Sequence, residues 1–125
     1  MTDTTAPDVS EFAISAAHRE LLDQVLDKWS LGVLNELCTA PMRFSELRRA
    51  IPAVTQKSLT ATLRRLERNG IVERLVISTR PVAVEYRITS LGKTIRPPID
   101  AILAWADEQM PRIEEARQRF DDETE

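Results

Sequence analysis

The chain has 125 residues, 42% of them hydrophobic and 30% charged, with a formal net charge of −3. That length suits one domain with a core of its own, and the composition excludes general disorder. No apolar run approaches the roughly 18 residues of a membrane-spanning helix.

Residues 1–13 are expected to form a flexible acidic tail, because Met1 to Asp8 hold too little apolar content to pack. The opening MTDTTAPDVSEF lacks the basic and apolar segments of a signal peptide, so the expected location is cytoplasmic. From about Ser15 to Asp27 the sequence becomes helix-periodic, with Leu21, Leu22, Val25 and Leu26 on one stripe. His18 has no second ligand at metal spacing and is expected to be a surface or interface residue. A second helix, KWSLGVLNELC over 28–38, is the expected core helix, with Trp29 as an apolar anchor. Cys38 closes it. A lone cysteine makes no internal disulfide; it is most simply a small buried hydrophobe, with a redox role as the candidate alternative.

Pro41 interrupts the chain. MRFSELRRAIP then places Phe44, Leu47 and Ile51 at helical spacing, a helix of about two turns. The turn Pro52–Val54 leads into TQKSLTATLRRLERNG. There Thr55 is an N-cap, Leu59, Leu63 and Leu66 share one face, and Gly70 supplies the left-handed stop. Lys57, Ala61, Arg64 and Arg68 point the other way, with Thr60 and Arg65 on the shoulders. A short helix, a tight turn and a basic second helix make a helix-turn-helix over 44–69. An outer face of cations, hydroxyls and a small methyl suits the DNA major groove.

After Gly70 the period becomes two. IVERLVIS and VAVEYRIT are two strands joined through Thr79, Arg80 and Pro81, a hairpin or wing over 71–89 with Arg80 at its tip. Thr89 or Ser90 then caps a terminal helix over 90–118. It is expected to kink or break at Pro97 and Pro98 and to bend or stop at Pro111. Ile99, Ile102, Leu103, Ala106 and Met110 lie along one side, and residues 119–125 are expected to be an acidic tail. The expected fold is mainly α with a small β-hairpin, a winged helix-turn-helix over 14–118 with N- and C-terminal dimerisation helices.

The charge distribution supports a polyanionic partner. Residues 43–80 carry nine Lys/Arg against three Glu, a net +6; residues 1–29 carry −4 and residues 100–125 carry −6. Lys57, Thr60, Arg64 and Arg65 are assigned to the groove of double-stranded DNA. Gln56 and Ser58 are assigned to bases or phosphates at the helix N-terminus, and Arg43, Arg49 and Arg80 to phosphates. Leu21, Leu22, Val25, Ile99, Ile102, Leu103, Ala106 and Met110 are assigned to a homodimer interface. A small-molecule effector pocket is expected between the core helix and the terminal helices, near Trp29 or Trp105. The alternative is a winged-helix module that binds protein. An enzyme is not expected, because Gly32, Gly70 and Gly92 are isolated and no nucleophile, metal or cofactor motif occurs.

The run LDKWSLGVLNEL, RFSELRRAIPAVTQKSLTATLRRLERNGIVERLV and PVAVEYRITSLGKTIRPPIDAILAW resembles the HxlR family of bacterial winged-helix regulators over about residues 26–105. The resemblance implies a homodimeric DNA-binding transcriptional regulator, often a repressor, with its first and last helices at the dimer interface. Many members carry a sensing cysteine in or ahead of the first helix. Here that region is EFAISAAHRELL, without cysteine, so the thiol mechanism does not carry over to Cys38.

Overall fold

A computed structural model describes residues 13–124. The expected tail over 1–13 lies, apart from Ala13, outside the described residues. Helix α1 spans Ala16–Val25 and α2 spans Lys28–Leu37. A two-residue strand β1 (Met42–Arg43) leads into α3 (Phe44–Ala50) and α4 (Gln56–Arg68). Strands β2 (Val72–Thr79) and β3 (Val82–Ile88) follow, then the short α5 (Ser90–Lys93) and the long α6 (Arg96–Glu123).

Local chemistry sets these boundaries. The Ser15 hydroxyl accepts from the His18 N–H at 3.1 Å, while the Ser15 N–H donates to His18 Nδ1, so the lone histidine is part of a helix cap. Asp27 caps α2, accepting from the N–H groups of Trp29 and Ser30, both at 2.9 Å. Thr55 caps α4 through the Ser58 N–H at 3.0 Å, and Gly70, at φ +76°, ends the segment. The turn between α3 and α4 contains Ala53 at φ 70°, a left-handed position held by a non-glycine residue.

The sheet is antiparallel in the order β1-β3-β2. β1 was not expected from a two-residue apolar signal; it pairs Met42 with Tyr86 and Arg43 with Glu85, tying the start of α3 to the wing. The expected alternation in β2 breaks at Ile77, where the register shifts between Val76 and Ser78. Both Val76 and Ile77 are exposed there.

Leu59, Leu63 and Leu66 are fully or almost fully buried with Val33, Leu34, Leu37, Leu47 and Val72, so the leucine face of α4 is the centre of the core. Val25 is 1% exposed in the same core. This corrects its assignment to a dimer interface: it faces inward where α1 lies against α4. Ile99 is likewise packed on the core, partly buried, rather than free for a partner.

The terminal region also differs from expectation. The break falls at Thr94 and Ile95, and Pro97 and Pro98 sit in the first turn of α6. First-turn N–H groups have no partner within the helix, so proline there starts a helix rather than kinking it. Pro111 lies inside α6 without ending it. It leaves the Asp107 carbonyl without a helical donor, and exposure at Asp107 lets water take that role. The helix runs on to Glu123, so residues 119–123 are its last turns rather than a separate tail.

Candidate nucleic-acid interface

The outer face of α4 is open. Gln56, Lys57, Thr60, Ala61 and Arg64 line one shallow surface groove, and all five are exposed. The neighbouring surface joins Phe44, Ser45, Arg48 and Arg49 of α3 to Gln56, so the first turn of α4 and the exposed side of α3 form one continuous face. Arg48 and Ser45 were not assigned from sequence. The signal was present, since Arg48 and Arg49 are adjacent, but only the packing of α3 across α4 puts both beside Gln56. Ser58 is half-buried and its N–H is spent on the cap. Arg43 is exposed at the start of α3, where its N–H donates to Glu46 Oε1 at 2.7 Å. Arg80 is exposed at the wing tip.

The cations of the basic segment divide into two sets. Arg65 bonds Asp27 at 3.2 Å, Arg68 pairs with Glu20 at 3.6 Å, and Arg74 with Glu67 at 4.0 Å. Arg43, Arg48, Arg49, Lys57, Arg64 and Arg80 make no ion pair among the described residues. Arg65 is thereby removed from the groove set. It lies on the shoulder of α4 that faces α1 and α2, where the Asp27 carboxylate captures it. Arg68 leans toward Glu20 of α1, with its side chain still 69% exposed. Of the unpaired cations, Arg48, Arg49 and Lys57 lie with Gln56 at the first turn of α4, whose orphan N–H groups add positive potential.

A cavity of about 130 Å³ lies between α2 and the α5–α6 region. Neither tryptophan lines it, which corrects the assignment of an effector pocket to Trp29 and Trp105. Trp29 packs against the core with the Lys28 ammonium 4.7 Å from its ring centre. Trp105 is 57% exposed on α6 and borders a different, open groove with Arg112 and Arg119. Cys38 is half-buried and does line the cavity.

The model of the HxlR-like helix-turn-helix matches residues 24–114, from the end of α1 to the middle of α6. The chain belongs to the HxlR family. An HTH-type transcriptional regulator of Methanothermobacter thermautotrophicus is 42% identical over 84 residues, 67% of this chain and 64% of that one. The HTH-type transcriptional regulator YdeP of Bacillus subtilis is 37% identical over 103 residues, 81% of this chain and 80% of that one. Among solved structures, the redox regulator HypR in its reduced form superposes with a TM-score of 0.71 at 33% identity, covering 80% of this chain and 99% of that one. This HxlR-type chain is therefore a DNA-binding helix-turn-helix transcriptional regulator and not an enzyme. No described helix is long and apolar enough to cross a membrane.

Proposed function

We propose that the protein is a homodimeric, sequence-specific repressor in the cytoplasm whose hold on DNA responds to a small molecule or stress signal. The observation that carries the reading is the sorting of cations on α4. Lys57 and Arg64 stand exposed beside Thr60 and Ala61, while Arg65 and Arg68 are tied to Asp27 and Glu20. Two charges, a hydroxyl and a methyl on one face are the groups that read base edges. Arg43, Arg48, Arg49 and Arg80 flank them as phosphate contacts.

Dimerisation is supported by surface that the protomer leaves uncovered. Helix α6 has no buried residue, and Ile102, Leu103 and Met110 are 54%, 52% and 36% exposed. Leu21 and Leu22 of α1 are 43% and 41% exposed. A two-fold contact through these helices gives two copies of α4 that read half-sites about 10 bp apart.

The test is a footprint on the DNA upstream of the protein's own gene. Arg64→Ala is expected to abolish the specific footprint with the fold intact, and an unchanged footprint refutes the groove assignment. Eight phosphate contacts per dimer give a log–log salt slope of about −7. A slope near zero would point to a protein partner instead.

A further inference from the structure

The cavity between α2 and α6 is walled by Leu31, Leu34, Ile88, Ile95, Ile99 and Leu103. No residue of α4 lines it. At about 130 Å³ this open-sided cleft has the size of one six-membered ring, close to the roughly 150 Å³ of a closed cavity that takes up benzene. Its polar lining is Asn35 and Cys38 from α2 and its C-cap, and Arg96 and Asp100 from α6. Arg96 Nε donates to both carboxylate oxygens of Asp100, at 3.0 and 3.1 Å. Cys38 lines the same cavity, and the Asp100 carboxylate raises the pKa of Arg96 further above its ordinary value.

These groups restrict the ligand. The Arg96–Asp100 pair is neutral overall, so an anion meets the Asp100 carboxylate and a cation meets the Arg96 guanidinium. A hydroxyl accepts from Arg96 and donates to Asp100 without adding charge, and of the neutral groups that do both it is the smallest that a single ring can carry into a space of this size. We infer that this cavity binds a small uncharged phenol, its ring between α2 and α6 and its hydroxyl on the Arg96–Asp100 pair. A ligand there is wedged between the core helix and the helix that carries Ile102 and Met110. The regulatory consequence rests on the dimer reading above, because it is α6 that would set the separation of the two α4 helices. The binding site itself does not rest on it.

The test is calorimetric titration of the full chain with phenol, toluene and benzoate. Phenol is expected to bind tightest and benzoate at least about tenfold weaker, the difference one charge-assisted hydrogen bond makes. Asp100→Ala removes an exposed surface carboxylate, leaves Arg96 unpaired, and is expected to invert the order so that benzoate exceeds phenol. A merely damaged fold weakens all three ligands together and does not invert them. Leu31→Trp is expected to fill the cavity and abolish binding of all three. Benzoate equal to phenol in the unaltered protein, no heat from any of the three, or an unchanged order in Asp100→Ala would overturn the assignment. Gel shifts without ligand report the DNA reading separately, so a protein that fails on DNA and binds phenol keeps this site.

Discussion

Arg65 Nη2 lies 3.2 Å from Asp27 Oδ2, linking α4 to the N-cap of α2. Asp27 is already the N-cap of α2, and the Ser30 hydroxyl donates to the same carboxylate oxygen at 3.1 Å. Arg65 also donates to the Thr62 hydroxyl at 3.3 Å, inside α4. Nearby, the Asn69 amide donates to the Gln24 side chain at 2.8 Å. The side of α4 that carries Arg65 is thus fastened to α1 and α2 by polar groups, while the side that carries Lys57, Thr60 and Arg64 stays open.

Arg65→Ala is expected to lower stability by about 1 kcal/mol, the scale of a charged hydrogen bond discounted for one-third exposure. Urea denaturation measures the loss. Base-specific protection in a footprint should keep its pattern, because Arg65 does not face the groove. A footprint that disappears while stability is unchanged would return Arg65 to the reading face.

Asp27→Ala removes a cap and an ion pair together, at a cost of about 1–2 kcal/mol. Burial pushes the Asp27 carboxyl up, but the Ser30 N–H, the Ser30 hydroxyl and the Arg65 guanidinium outweigh it and hold the group below the ordinary carboxylate range. A lowered pKa in the folded state stabilises above the unfolded-state value, about 4, and that contribution vanishes as pH falls through the folded value. The stability gap between the two proteins should therefore be constant near neutral pH and narrow in acid below about pH 4. Denaturation curves across that range decide it; a gap that widens in acid contradicts the assignment.

Leu22→Asp and Ile102→Asp place charge on the exposed faces of α1 and α6. Each is expected to give a folded monomer by sedimentation, with helical circular dichroism retained, because neither side chain belongs to the protomer core. DNA affinity should fall with the loss of the second half-site. Either variant sedimenting as a dimer would place the interface elsewhere.

Gly92→Ala is expected to destabilise by about 3 kcal/mol, the upper end for overpacking. A Cβ at that position would overlap the Ile71 backbone carbonyl and come within 2.7 Å of Ile88 Cγ1. The start of α5 is pressed there by the Thr89 hydroxyl, which reaches the Gly70 carbonyl at 2.6 Å while accepting from the Gly92 N–H at 2.9 Å. A melting curve that matches the unaltered protein would mean that α5 can lift away at no cost.

The sequence by itself determined the elements whose signals are local. Leucines at helical spacing define the inner face of α4, Thr55 and Gly70 set its ends, and a switch to period two marks the wing; all three stand in the structure, with the wing's alternation interrupted at Ile77. Lys57, Thr60 and Arg64 were legible as an outer face because a helix fixes direction by residue number alone. Tertiary structure decided what depends on partners distant in the chain. Asp27 lies 38 residues from Arg65 and claims it from the groove, Val25 turns into the core, and the prolines of α6 start a helix because the chain breaks just before them. The cavity, too, needs α2 and α6 side by side, so it follows from packing and no single stretch encodes it.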